Sequence, residues 1–445
     1  VRSPVSLSTE VVVVGTGPGG ATAARDLARR GKRVLLLERG GDHRTRPYYG
    51  TYLGAALYTE RASVLFTREG MNVIRPLMVG GATSMYCGCA ARPPAWLEER
   101  HHLDLEPYVV ETINELGIAP LPPAARGEAS TRLAEAGRAL GYDFHPQLKF
   151  VRPERACAFT CGATCMLGCR CGAKWSAAEF VDEAVAAGAL LRTRARVDRV
   201  LIEGGRAHGV EGTAGGRRFT VSAESVVLGA GGIGTPRILQ ASGLPEAGTG
   251  MAMDLTVMVY GQGRGRGNGN EPPMTWSWED EAAGIMLSTL VDPWLSFGVV
   301  NALKRRRNLG RWRSWNSLLG LMIKLKDDIS GGVTAGGSIS SPLTESDKER
   351  LEQAERACRS ILVEAGADPK TVFTSPQRGT HPSATVRIGT MLDENLRTEI
   401  EGLYVCDASA FPEGLGRPTV LTIIALGKRL AAHLHSGRQF AQSPA

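Results

Sequence analysis

The chain has 445 residues, 43% hydrophobic and 22% charged, enough for two or three domains around a sizeable core. Lysine and arginine exceed aspartate and glutamate by 52 − 45 = 7, too mild an excess to point to nucleic acid, and no apolar run approaches the about 18 residues that cross a bilayer. The first ten residues carry no charged-then-apolar export signal; this favours a cytoplasmic location and leaves a periplasmic one open for a chain whose leader was trimmed.

Residues 10–40 read as one βαβ unit. Val11 to Val14 suit a strand buried on both faces, and Gly15-Thr16-Gly17-Pro18-Gly19-Gly20 opens a helix. Gly15 permits the tight turn, Gly17 lets backbone approach a pyrophosphate, and Gly20 lets the helix pack closely on the strand. A second apolar run, Val34 to Leu37, ends in Glu38, placed to accept from a ribose hydroxyl. Strand, loop, helix, strand and acid in this order predict a dinucleotide site rather than a merely tight turn.

Further along, Gly80-Gly81-Ala82-Thr83-Ser84 allows backbone to lie against a flat ligand, with amide and hydroxyl donors aimed at it; an ordinary glycine turn reads the same way. Residues 104–145 predict helices broken by the Pro-rich 119–124 segment, with Ala129 to Leu140 the clearest amphipathic stretch. Cys157, Cys161, Cys165, Cys169 and Cys171 follow within one short loop. Their spacing is open between an iron–sulfur centre, disulfides with a spare thiol, and zinc.

A helix is expected over 174–191, then short strands at 197–203, 207–212 and 217–222 and a buried strand from Ser225 to Leu228. The next helix is expected to start with Thr235 as N-cap and Pro236 in its first turn. Residues 246–374 change texture, with strand-like pieces at 253–260, 284–291 and 333–340, and predict an antiparallel sheet in a second domain. Within it, residues 304–323 (Lys304-Arg305-Arg306-Arg307, Arg311-Trp312-Arg313, then Trp315 to Ile323) read as a basic amphipathic segment. Such a segment lies on an anionic membrane surface, docks an acidic partner, or is a solvated helix over a core. A regular surface helix is expected over 345–365.

Two dense stretches close the chain: Gly379-Thr380-His381-Pro382-Ser383-Ala384 and Gly402-Leu403-Tyr404-Val405-Cys406-Asp407-Ala408. Together with the first glycine loop and Glu38, the Gly80-Gly81 turn and the Gly231 to Leu244 segment, they resemble the glucose–methanol–choline (GMC) family of FAD-dependent oxidoreductases. The resemblance implies an α/β fold: a Rossmann-type FAD-binding domain from residues 1–100, 192–245 and 375–445, a helical segment with the cysteine loop at 101–191, and an antiparallel-sheet substrate domain at 246–374. It implies FAD held by Gly15, Gly17, Gly20, Glu38, Gly80, Gly81, Thr83, Ser84, Val197, Asp407, Ala408, Pro418 and Thr419. It also implies hydride transfer from a CH–OH carbon to the flavin, with His381 as the base, a role suited to an imidazole that titrates near neutrality.

Two departures follow. The family's second active-site residue, a His or Asn followed by Pro, is missing; alignment puts Pro418 there, and a one-residue shift puts Arg417 there, whose fixed charge suits an alkoxide or a substrate carboxylate. The cysteine loop looks like that of bacterial FAD glucose dehydrogenases, which implies an iron–sulfur cluster on Cys157, Cys161, Cys165, Cys169 and Cys171, passing electrons to a quinone or a carrier protein. The leading expectation is an FAD-dependent dehydrogenase for a sugar-like or polyfunctional alcohol. The alternatives are oxidation or desaturation of a carboxylate anchored by Arg417, and an electron-transfer module docking through the 304–313 patch.

Overall fold

The computed structural model describes residues 5–155, 160–298 and 314–441. In chain order the main elements are β1 (Val5–Val14), α1 (Pro18–Arg29), β2 (Val34–Leu37), α2 (Glu106–Leu116), α3 (Glu128–Ala139), α4 (Ala177–Ala186), β3 (Leu190–Arg192), β4 (Ala195–Glu203), β5 (Arg206–Ala214) and β6 (Arg217–Leu228). These are followed by α5 (Gly231–Ala241), β7 (Leu255–Gln262), β8 (Trp276–Asp280), β9 (Ile285–Thr289), β10 (Leu318–Leu325), α6 (Glu345–Glu364), β11 (Leu403–Val405) and α7 (Val420–Ala441).

The first sheet runs β4-β5-β6-β1-β2-β3, with β11 also paired to β6. Its centre is parallel: β1 lies between β2 and β6, and Val11 to Val14 are hardly exposed, each contributing about 1.5–3 kcal/mol of burial. Helices α1 and α4 pack on it, and α7 packs on α1. The predicted α/β nucleotide fold is present. The pieces expected at 217–222 and 225–228 form one continuous strand, β6, because β1 pairs along its whole length.

The second sheet, mostly antiparallel, centres on β7-β10-β9-β8 and extends past β7 through Arg378–Gly379, Asn72–Val73 and Leu65–Phe66. Residues 65–73 and 378–379 thus pair in this sheet, and β3 in the first, across the segment boundaries drawn from sequence. Leu255, Val257, Leu321, Ile323 and Leu287 on one face join the core formed with α3 and α6. The other face carries Thr256, Met258, Met322 and Lys324 and lines a cavity shared with the first domain.

Three local expectations need correction. Helix α5 starts at Gly231 with Ala230 as its N-cap, so Pro236 lies inside it and Thr235 bonds elsewhere. The strand expected over 333–340 is a hairpin of Gly332–Val333 with Ile339–Ser340. Residues 315–323 are no amphipathic surface segment: Trp315 is buried, and β10 is a buried strand in the middle of its sheet. With apolar residues on both faces, its period-two pattern is invisible in sequence. Residues 304–313 and Cys157 lie outside the described residues.

Candidate active site

The cavity encloses about 730 Å³ between the two sheets. At its nucleotide end, Gly15 takes φ +99°, and a Cβ there would sit 2.3 Å from the Gly229 carbonyl oxygen. A Cβ on Gly20 would fall 2.2 Å from the oxygen of Gly15, whereas on Gly17 the nearest such atom is 3.9 Å away, leaving that backbone open to the cavity. Helix α1 has no side-chain cap and no acidic residue in its first turn, so its orphan N–H groups and positive dipole end await an anion. Sequence reasoning passed over Gly19, where a Cβ would be 1.9 Å from the Cys406 carbonyl oxygen.

Glu38 lines the cavity, with Oε2 accepting from the Thr16 amide (3.0 Å) and hydroxyl (2.6 Å) and Oε1 from the Gly40 amide (2.7 Å). Oε2 thus has both lone pairs engaged, and Oε1 retains acceptor capacity toward a ribose. Val197 forms part of the same wall. The Gly80-Gly81 turn leans on the first loop: a Cβ on Gly81 would meet the Gly17 Cα at 3.1 Å. The two hydroxyls beside it serve the backbone instead. Thr83 Oγ1 donates to the Gly80 oxygen (2.5 Å) and accepts from Ala177 N (2.9 Å), and Ser84, which is not part of the cavity wall, donates to the Val79 oxygen (3.3 Å).

Asp407 accepts from Gly231 N (2.8 Å), Thr235 Oγ1 (2.5 Å), Ser409 N (2.8 Å) and Ser409 Oγ (2.5 Å), tying the start of α5 to the cavity wall. Ala408, Pro418 and Thr419 line the same wall. An uncapped helix end, an open glycine backbone and a ribose-facing carboxylate in one cavity fit the adenosine and pyrophosphate of FAD.

At the seam with the second sheet, His381 lines the cavity and its Nδ1 lies 2.8 Å from Asp254 Oδ2. Asp254 is fully buried, sits at φ +47°, and accepts through Oδ1 from Gly416 N (3.0 Å). A carboxylate can only accept, so Nδ1 carries the proton and Nε2 keeps its lone pair. Burial, and then the charge of Lys324, hold the imidazole below its ordinary range, opposed by Asp254; it is therefore neutral, and able to take a proton, near pH 7. Burial and the nearby Asp254 push Asp327 up to about 7. Asp254 and Lys324 were both missed in sequence; a lone lysine within Leu-Leu-Gly-Leu-Met-Ile-Lys-Leu was the one available sign of the latter.

Beyond His381 the chamber is walled by Met258, Met274, Leu290, Met322, Cys87 and Cys89. The Asp292–Arg378 pair (2.8 and 2.5 Å) also lines it, with Tyr260 donating to Asp292. Arg417 is elsewhere: its guanidinium meets Glu281 (2.7 Å) and Glu279 (3.4 Å) and is not part of the cavity wall.

Among the described residues, the cysteine loop touches the cavity through Met166 and Leu167. Cys169 and Cys171 place their sulfurs 3.7 Å apart, and Cys169 Sγ accepts from Lys174 N (3.2 Å). Among the described residues no three His, Cys, Asp or Glu side chains are arranged to hold a metal. Cys161, Cys165 and Cys169 are free thiols. The residues described do not fit an iron–sulfur cluster.

A glycine-loop nucleotide cradle and the second sheet thus meet in one cavity at a carboxylate-oriented histidine. The chain belongs to the GMC oxidoreductase family, whose N-terminal and C-terminal models match residues 49–257 and 338–427. The pyridine nucleotide-disulphide oxidoreductase model matches residues 9–88. An uncharacterized GMC-type oxidoreductase of Mycobacterium tuberculosis is 32% identical over 275 residues, covering 56% of this chain and 42% of the relative. A long-chain-alcohol oxidase of Arabidopsis thaliana is 24% identical, covering 93% and 65%. The chain therefore spans less than two thirds of the length of both curated relatives. A formate oxidase of Aspergillus oryzae has the same fold, with TM-score 0.74 at 14% identity over 98% of this chain and 100% of that one.

Proposed function

We propose that this chain is an FAD-dependent alcohol oxidoreductase acting on a CH–OH group carried by an apolar body. The observation that carries the reading is the His381–Asp254 pair at 2.8 Å, opening onto the same cavity as the glycine loops. Bound FAD supplies the acceptor for a hydride and its two electrons. His381 Nε2 takes the hydroxyl proton while the carbinol C–H bond breaks, so the alcohol loses one proton and one hydride and leaves as a carbonyl compound. Met258, Met274, Met322 and Leu290 offer a sugar few hydrogen bonds, and in the polar Asp292–Arg378 pair both carboxylate oxygens already accept from the terminal guanidinium nitrogens, with Arg378 Nε left unpartnered. This favours an aliphatic alcohol over the sugar-like substrate expected from sequence. A carboxylate anchored by Arg417 gains no support, since Glu279 and Glu281 hold that guanidinium.

Anaerobic mixing with a panel of straight-chain alcohols and sugars is expected to bleach the flavin with the aliphatic members, and His381→Ala to slow bleaching by about 10²–10⁴. A flavin that no alcohol bleaches, or a His381→Ala protein as fast as the parent, would sink the reading. Re-oxidation of the bleached protein by a quinone, a carrier protein or oxygen then identifies the acceptor.

A further inference from the structure

The position ahead of the final helix supplies no second active-site group: Pro418 has no side-chain donor and Arg417 is held by glutamates outside the cavity wall. The substrate sheet carries a different candidate. Strand β10 presents Met322 and Lys324 to the cavity, Lys324 lying directly across from Thr256 on β7. Its side chain is buried, and its Nζ donates to Thr256 Oγ1 (3.2 Å) and Thr380 Oγ1 (2.5 Å). Thr380 in turn donates to the Asp254 backbone oxygen (2.9 Å), which fixes the direction of the bond from Lys324.

An ammonium has three donors. Two are used by these hydroxyls, and among the described residues no carboxylate lies within ion-pair distance of Nζ. The third is left for a guest in the cavity. Thr380 precedes His381 in the chain, so the lysine that bonds Thr380 and the imidazole beside it address the same end of the chamber.

We propose that Lys324 is a catalytic residue, its ammonium donating to the substrate oxygen that His381 deprotonates, in place of the group missing at 417–418. This rests on the alcohol-oxidation reading above. As the proton leaves for His381 Nε2, negative charge grows on the oxygen, and a preorganised cation in a dry site holds that charge without reorganising. The titratable groups facing Lys324 are Asp254, Asp327, His381, Cys87 and Cys89. Burial lowers the ammonium's pKa, with the two aspartates and two thiols opposing. Its deprotonation should therefore end activity on the alkaline side.

The test compares wild type, Lys324→Met and Lys324→Arg, each checked for FAD content and circular dichroism, with the alcohol that bleaches wild type. Lys324→Met is expected to lower the limiting rate of flavin reduction by about 10²–10³ with little change in the half-saturating concentration. Lys324→Arg should recover part of that rate and move the alkaline limb of the pH profile upward. An equilibrium readout accompanies it: an alkanoate of matched chain length, titrated by its perturbation of the flavin spectrum, should bind Lys324→Met at least tenfold more weakly, while the corresponding alkane-nitrile binds both equally. If wild type is bleached but Lys324→Met is within threefold in rate and binds the alkanoate unchanged, the role of Lys324 is overturned and the alcohol reading stands. If wild type is bleached by no alcohol, both fall. Should Lys324→Met fail to hold FAD, an unshifted alkaline limb in Lys324→Arg overturns the proposal by itself.

Discussion

Asp254 occupies a left-handed backbone conformation at φ +47°, which aspartate and asparagine tolerate better than most side chains. Asparagine is thus a near-neutral replacement for shape but not for chemistry. Its amide nitrogen would face His381 Nδ1, reverse the tautomer and place the proton on Nε2, where a base needs its lone pair. Asp254→Asn is expected to slow flavin reduction by about 10² with FAD content intact. Because Asp254 is what raises the His381 pKa against burial and Lys324, the acid limb of the rate profile should also shift to lower pH. Rapid-reaction kinetics across pH checks both effects, and an unchanged profile would remove Asp254 from the machinery. At this scale His381, Glu38 and the loop glycines were legible because their motifs are local. Asp254 and Lys324 were not: each acquires its meaning from a partner on a different segment, 127 residues away for the aspartate and 56 for the lysine. Arg417 was read as available because its two glutamate partners lie on a distant hairpin.

The elements were read best where a period was visible; the one cap read from sequence, Thr235, caps no helix. Helix α6 carries a full capping box, with Thr344 accepting from Asp347 N (3.1 Å) and Asp347 accepting from Thr344 N (3.0 Å). Thr344→Ala should cost about 1 kcal/mol, measurable by urea unfolding, without altering flavin reduction. Strand β10 hid its period because both faces are covered, and the cysteine loop was read for chemistry its described residues do not assemble. Helix α1 shows the opposite limit: Gly19 was given no role in the glycine-rich loop, yet the chain from β11 passes so close that a Cβ would overlap the Cys406 carbonyl oxygen. Gly19→Ala should lower the melting temperature and the FAD content together, by about 1–3 kcal/mol or more in stability. Gly31→Ala, where nothing lies within 4 Å, should retain FAD and pay only for its own φ of +79°. Equal FAD retention by the two variants would disprove the close-packing account.

Across the molecule, an ionic lattice holds the helices over the first sheet. Arg25 on α1 reaches Glu115 (2.7 Å) on α2 and Glu183 (3.4 Å) on α4, while Lys428 on α7 reaches Glu111 and Glu115 on α2 (2.7 Å each). Burial pushes the Glu115 carboxyl up, but Lys428 and Arg25 outweigh it and hold its pKa below the ordinary value. Its contribution is therefore complete above about pH 4.3 and is lost as pH falls through the lower folded value. Glu115→Gln should cost about 2 kcal/mol near neutrality, and the gap to wild type should close on acidification; denaturant unfolding at several pH values tests the sign. The second sheet shows a separate division of labour. Odd-numbered residues of β7 and β10 such as Leu255, Val257, Leu321 and Ile323 pack on α3 and α6, while Thr256, Met258, Met322 and Lys324 on the other register face the chamber. A substitution at Met258 or Met322 alters the chamber and leaves the core against α3 and α6 untouched, because neighbouring side chains on a strand point to opposite sides. Such a sheet lets substrate preference drift over evolutionary time on one register while selection for folding acts on the other.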